Sequence, residues 1–323
     1  MVPAVRTRPF GRLGHEVSEL ALGTWGLSGD GYGPVADAEV DRVIDRALEL
    51  GITLFETADV YGRGAMEQKL GARLAGTSVR IVTKIGTLRA EAGDGPEAAA
   101  DKRFDPASLG RAFEASRERL RRDKLDVVLL HNPSEPVLRE RDAAYFLQQL
   151  VTEGKLEAWG VSAGSYDVAH RAIALGADVV ELAYNPFAAR DLHRLSDELV
   201  AGPTAVLARS VLAHGLLTGH WGPERVFEEG DHRALRWKPN ELRHRLRQLD
   251  ALRPLVGGEV LSLRAAALRF ALANALVTSV VLGPRRVRQL DELVREAGPG
   301  PRYLPDTALA DLSTRLKRYG IAT

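Results

Sequence analysis

The chain has 323 residues, 45% hydrophobic and 27% charged, with 44 Lys and Arg against 43 Asp and Glu for a formal net charge of +1. That balance gives no field to recruit nucleic acid or an anionic membrane, so the expected partners are small molecules or proteins. The absence of cysteine excludes disulfides, thiolate nucleophiles and cysteine metal sites, and with no apolar run near ~18 residues and no signal-peptide core the expectation is a cytoplasmic protein without a membrane span.

The first expected element is a short hairpin, because Thr7-Arg8-Pro9-Phe10-Gly11 and His15-Glu16-Val17 flank a Gly-Arg-Leu-Gly turn ahead of the main body; it reads as a plug. A strand over 18–25 follows, then a helix over 36–50 with Val40, Val43, Ile44, Ala47 and Leu48 on one face and Gly51 as its stop. The alternation continues with strands over 53–58, 79–84, 125–131, 158–162, 179–184, 204–209 and 279–282. Between and after them, helices are expected over 66–74, 106–121, 142–153, 167–175, 191–200, 261–276 and 287–295. Such alternation predicts a parallel sheet, and runs such as Asp126-Val127-Val128-Leu129-Leu130 predict strands covered on both faces. Eight units close a barrel better than they fill an open sheet, and Gly23-Thr24-Trp25-Gly26 lacks the Gly-x-Gly-x-x-Gly spacing of a doubly wound dinucleotide domain. The expected fold is therefore α/β, a (β/α)8 TIM barrel forming one domain over 1–323. Two segments exceed ordinary connections, 86–105 and 218–240, the second carrying Trp221, Phe227 and Trp237; both follow strands and should overhang the C-terminal mouth.

The stretch that carries chemistry is Leu54-Phe55-Glu56-Thr57-Ala58-Asp59-Val60-Tyr61-Gly62, an apolar strand start running into two acids and a phenol. Lys84 and His131 likewise stand at the ends of apolar runs, so the barrel mouth should gather all of them. A phenol with a pKa of about 10 is a poor acid at neutral pH unless a cation favours the phenolate, and Lys84 can supply that cation. Glu56 is placed to hold the ammonium and His131 to donate to a developing oxyanion. The eight histidines show no His-Glu-x-x-His spacing, so no metal site is expected. Arginine-rich runs near 117–122 and 243–247 read as solvated helix faces.

Taken in order, these residues resemble the aldo-keto reductases, nicotinamide-dependent barrel enzymes with an Asp-Tyr-Lys-His tetrad. The resemblance covers nearly the whole chain and includes Leu22-Gly23-Thr24-Trp25, Thr57-Ala58-Asp59-Val60-Tyr61-Gly62, Thr83-Lys84, Leu130-His131, Gly160-Val161-Ser162, Tyr184-Asn185-Pro186, Gly215-Leu216-Leu217-Thr218-Gly219 and Gln289-Leu290-Asp291-Glu292. It implies Tyr61 as general acid, Lys84 as its modulator, His131 as orienting donor and Glu56 at the position of the tetrad aspartate, one methylene longer. It implies cofactor contacts at Gly23, Thr24, Ser162, Glu181, Arg209, Ser210, Leu212, Gly215, Gln289 and Glu292. Arg209 stands where a stacking tyrosine is usual, and a guanidinium can also lie flat on a ring. Ala163, Glu181 and Leu293 replace family asparagine, glutamine and asparagine contacts.

Gly283-Pro284-Arg285-Arg286 opens the final helix, where amides and two guanidiniums suit a 2′-phosphate, so NADPH is the expected cofactor. The substrate is expected to be a small-molecule carbonyl in a pocket walled by Trp25, the 86–105 segment and the aromatics of 218–240. Asp231-His232-Arg233 is a further candidate for closing over the cofactor. Two rivals keep the barrel: a nucleotide-binding protein with weak or no turnover, and a lyase or isomerase using Tyr61 and Lys84 without nicotinamide.

Overall fold

In the computed structural model, which describes residues 5–88, 101–228, 230–301 and 303–322, eight parallel strands close into a barrel in chain order. They are β1 (Leu20–Gly23), β2 (Leu54–Glu56), β3 (Arg80–Ile85), β4 (Leu125–His131), β5 (Leu156–Ser162), β6 (Val179–Ala183), β7 (Ala205–Arg209) and β8 (Ser279–Leu282). Around them run α1 (Asp37–Glu49), α2 (Ala65–Arg73), α3 (Pro106–Leu120), α4 (Asp142–Thr152), α5 (Tyr166–Ala174), α6 (Ser196–Ala201), α7 (Leu263–Ala273) and α8 (Val287–Ala297). The helix expected over 191–200 is broken at Leu195 into Arg190–Arg194 and α6. The strand expected over 18–25 is likewise two elements, Glu16–Ser18 in the hairpin and β1 in the barrel.

Period-two alternation divides every strand between two cores. Outward residues such as Leu22, Phe55, Val128, Leu130 and Val180 pack under the helices, where α1 contributes the buried face Val40, Val43, Ile44 and Ala47. Inward residues Ala21, Leu54, Val82, Leu129, Ala158, Val179, Leu207 and Val281 fill the barrel. The hairpin closes its N-terminal end: Thr7–Pro9 pairs antiparallel with Glu16–Ser18, and Phe10 and Val17 join the interior cluster. Arg8 locks it by donating to the Leu272 and Val277 carbonyls at 2.7 and 2.6 Å. At Gly160 the barrel has no room for a side chain, because a Cβ there would lie 1.8 Å from the Val179 carbonyl oxygen.

The next inward positions, above this apolar filling, are Gly23, Glu56, Lys84, His131, Ser162, Glu181 and Arg209. One alternation rule thus makes the lower barrel a hydrocarbon core and its mouth a polar layer. Elements the sequence pattern did not reveal lie mostly in the connections: helices Glu135–Glu140, His232–Arg236, Pro239–Gln248 and Asp306–Arg318, and the two-stranded ribbon Thr87–Leu88 with Asp101–Lys102. Residues 89–100 of the long 86–105 segment lie outside the described residues.

Candidate active site

Lys84 organises the polar layer. Its side chain is 2% exposed, and its ammonium contacts the Glu56 carboxylate directly, donates to the Thr57 carbonyl at 3.0 Å and to Tyr61 Oη at 3.1 Å. A second carboxylate oxygen, Glu181 Oε2, lies 3.9 Å away. Burial lowers the Lys84 pKa to about 8, with Glu181 acting upward and Arg209 downward. The touching Glu56 carboxylate also opposes the burial penalty, since an adjacent opposite charge favours the ammonium.

Tyr61 reaches Lys84 because the loop after β2 is zipped onto β3: Thr57 N–H donates to Val82 O at 2.8 Å and Asp59 N–H to Lys84 O at 3.0 Å. The turn that follows is left-handed at three consecutive residues, Gly62, Arg63 and Gly64. Burial raises the Tyr61 pKa and Glu181 raises it further, while Arg209 acts in the opposite sense. The His131 ring stands edge-on to Tyr61, 6.0 Å between centroids. Burial first, then the charges of Lys84, Lys102 and Arg209, hold its pKa well below the ordinary value, so the ring is neutral. Asp59 belongs to another group of residues. Burial and the charge of Glu67 raise its pKa to about 8, and Arg119 pulls the other way; Glu67 itself accepts from Thr83 and Arg119.

A cleft of about 920 Å³ opens over this set. Of the residues singled out in the sequence, Gly23, Trp25, Glu56, Tyr61, Lys84, His131, Ser162, Glu181, Arg209, Ser210, Leu212, Gly215, Arg285 and Gln289 line it. Thr24, Arg286 and Glu292 do not: Thr24 is fully buried with an unpartnered hydroxyl, Arg286 is exposed, and Glu292 pairs with Arg264 and Arg288 at 3.0 and 2.9 Å. Trp221, Arg233 and Leu293, also named from the sequence, line the wall, as do Asp30, Tyr32, His214 and Arg264, which no motif marked. Phe227 and Trp237 pack behind Trp221 at centroid distances of 5.1 Å each rather than facing the space. Asp231 caps the short helix starting at His232 and pairs with Arg233, whose guanidinium lies 4.8 Å from the Tyr32 ring centroid.

At the far end of the cleft the polar groups are largely committed to one another. Arg285 donates to the carbonyls of Gly26, Gly33 and Pro34 at 3.2, 2.7 and 3.0 Å, and its own N–H goes to Gln289. The Val287 N–H, an amide of the first turn of α8, donates to Glu39 Oε1 at 3.0 Å. Arg209 donates to the Ala163 carbonyl at 3.0 Å.

Matching against protein-family models finds the aldo/keto reductase family over residues 19–297. The chain belongs to the aldo/keto reductase family. This aldo-keto reductase is 28% identical over 293 residues to the aldo-keto reductase YhdN of Bacillus subtilis, covering 88% of this chain and 86% of that one. It is 24% identical over 315 residues, 92% of each chain, to a probable voltage-gated potassium channel subunit beta of Oryza sativa. Among solved structures, the glycerol dehydrogenase AKR11B4 from Gluconobacter oxydans superposes with a TM-score of 0.83 at 26% identity, covering 99% of this chain and 96% of that one. The enzyme is therefore an oxidoreductase of a family that acts on small-molecule carbonyls with nicotinamide cofactors, and the lyase or isomerase alternative falls. Among the described residues no group of three or more His, Asp or Glu could hold a metal, and no helix is long and apolar enough to cross a membrane.

The residues suit such a nucleotide. Glu181 is 1% exposed, lines the cleft and has Oε2 without a hydrogen-bond partner, and an unsatisfied buried carboxylate is a site for an N–H donor or a positive charge.

Proposed function

We propose that this aldo-keto reductase reduces an aldehyde, ketone or sugar-like carbonyl with NADPH, Tyr61 giving the proton. The observation that carries this reading is the placement of one buried ammonium, Lys84, against both Tyr61 Oη and the Glu56 carboxylate at the base of the cleft. A nicotinamide nucleotide, when bound, supplies hydride to the carbonyl carbon. Tyr61 Oη then gives its proton to the carbonyl oxygen, and the phenolate left behind is stabilised by the hydrogen bond from Lys84 Nζ. Glu56 keeps that nitrogen protonated, and neutral His131 offers an N–H to the same oxygen without carrying charge into the site. Trp25 walls the substrate side.

For the cofactor, Gly23, Ser162, Glu181, Arg209, Ser210, Leu212 and Gly215 are assigned to the nicotinamide and pyrophosphate half and Gln289 to the other half, whereas Thr24 and Glu292, which do not line the cleft, are left out of the contact set. Of the two arginines expected at the 2′-phosphate, Arg285 is engaged by three loop carbonyls, which leaves Arg286 as the available guanidinium. Glu39, on the Val287 amide, opposes a phosphate there, so the preference for NADPH over NADH should be modest.

The test is a fluorescence titration with NADPH followed by single-turnover oxidation of the bound NADPH with a carbonyl panel. Binding with no oxidation would replace the proposal by the second reading, a nucleotide-binding protein with little turnover. One observation favours that alternative: Glu181 beside Lys84 raises the Tyr61 pKa and makes it a weaker acid.

A further inference from the structure

The turn that presents Tyr61 is costly to hold. Gly62, Arg63 and Gly64 have φ of 57°, 56° and 87°, and the left-handed region penalises a residue with a Cβ such as Arg63. Such a turn keeps its shape only when its surroundings fix it. The described hydrogen bonds include one from outside the turn to the residue after Tyr61: Gly62 N–H donates to Asp30 Oδ2 at 2.7 Å. A carboxylate acceptor makes this a charge-assisted bond, shorter and stronger than a neutral one.

Asp30 is not on a strand or helix. It sits in the loop between β1 and α1 and lines the cleft; its own N–H donates to Ser28 Oγ at 3.2 Å. The loop is gripped from two other sides. Arg285, from the β8–α8 turn, holds the carbonyls of Gly26, Gly33 and Pro34. His232 N–H, from the long β7–α7 connection, donates to Gly31 O at 3.0 Å. Trp25 packs so closely on Gly31 that a Cβ there would lie 2.6 Å from its ring, and Tyr32 stacks edge-on to Trp25. The loop is thus one small body held from several sides, and among the described residues the Asp30 hydrogen bond ties it to the turn carrying Tyr61, where Ser28 also lies against Gly62.

We infer that Asp30 is a positioning residue for Tyr61, tying the proton-donor turn to the loop held by Arg285 and His232 at the other arm of the cleft. This rests on Tyr61 being the proton donor. Asp30 does not touch the reacting atoms; it acts by holding Gly62 N–H, so the effect belongs in the rate of the chemical step and in the mobility of the turn. Nucleotide affinity should hardly respond.

Three variants of the full chain test it: Asp30→Ala removes the acceptor, Asp30→Ser shortens it beyond reach and guards against a folding failure of the first, and Asp30→Asn keeps an acceptor oxygen without the charge. Amide hydrogen exchange over residues 58–64 is read with and without NADPH, alongside single-turnover reduction and NADPH affinity. In Asp30→Ala and Asp30→Ser, exchange at Gly62 should speed by about tenfold or more, the factor that losing a charge-assisted hydrogen bond allows. The single-turnover rate should fall by a similar factor while the NADPH dissociation constant stays within about twofold, and Asp30→Asn should recover most of both losses. Unchanged exchange and unchanged rate in Asp30→Ala and Asp30→Ser overturn the inference, as does a loss confined to NADPH affinity. If the parent protein oxidises no bound NADPH, the reading of Tyr61 as proton donor fails on its own, and exchange at Gly62 still decides whether Asp30 holds the turn.

Discussion

The two ends of the cleft are built on different principles. At the reacting end, Glu56, Lys84, His131 and Glu181 stand on strands, and their positions follow from a barrel whose every second residue points inward. At the end proposed for the nucleotide, Arg285, Arg286, Glu39 and Gln289 stand on turns and helix ends, and all but Arg286 are engaged by main-chain carbonyls and amides. Strand-borne groups are preorganised by the fold, whereas the turn-borne groups must exchange partners to bind. The first arrangement favours chemistry that depends on fixed charges, the second a cofactor choice set by small differences.

The contrast can be broken most easily at the reacting end. Tyr61→Phe removes the transferable proton and should lower single-turnover reduction by about 10²–10⁴, the usual worth of a positioned general acid, with NADPH binding retained. A loss below tenfold would move the proton donor elsewhere. Glu56→Gln should cost about tenfold to a hundredfold, since it removes the charge that holds Lys84, and Glu56→Asp should cost less. The sign with pH follows from Lys84: burial already lowers its pKa to about 8, so the ammonium and the rate decline as pH rises through that value. Without the Glu56 charge the Lys84 pKa falls further, and the alkaline limb of the profile moves to lower pH. A limb that stays in place would remove Glu56 from the relay.

At the other end the expected effects are smaller and divided between residues. Arg286→Ala should weaken NADPH by roughly tenfold and leave NADH unchanged, whereas Arg285→Ala, by freeing the loop at Gly26, Gly33 and Pro34, should weaken both about equally; isothermal titration with each nucleotide separates them. Glu181→Gln should raise the dissociation constant of NADP⁺ relative to that of NADPH severalfold, because the ring is cationic only when oxidised. Least of all, Glu39→Gln should raise the NADPH preference over NADH by about threefold to tenfold, the effect of one exposed charge near another.

The same division explains what the sequence made legible. Apolar runs ending at Glu56, Lys84 and His131 marked these three as barrel-mouth groups, and the strand at 125–131 and that at 279–282 match to the residue. Their chemistry paired them with Tyr61, and Glu181 and Arg209 entered only through the resemblance. It could not show that Arg285 spends its donors on main-chain carbonyls, since a carbonyl acceptor has no side-chain signature, nor that Glu39 would meet an amide 248 positions later. Asp30 was missed for the same reason: its partner is the Gly62 amide, supplied by loop geometry rather than by residue type. The helices of the long connection escaped because Pro239–Gln248 has only Leu242 and Gln248 buried and so carries almost no apolar stripe.

The hydrocarbon filling beneath Lys84, sealed by Phe10 and Val17 of the hairpin, closes the barrel below its polar layer. With Tyr61 as the proposed proton donor, the phenol is reprotonated from the cleft above it rather than through the apolar filling below. On that reading each turnover ends with reprotonation of Tyr61 from the cleft, and exchange of its proton with bulk water becomes a step of the cycle rather than a background process.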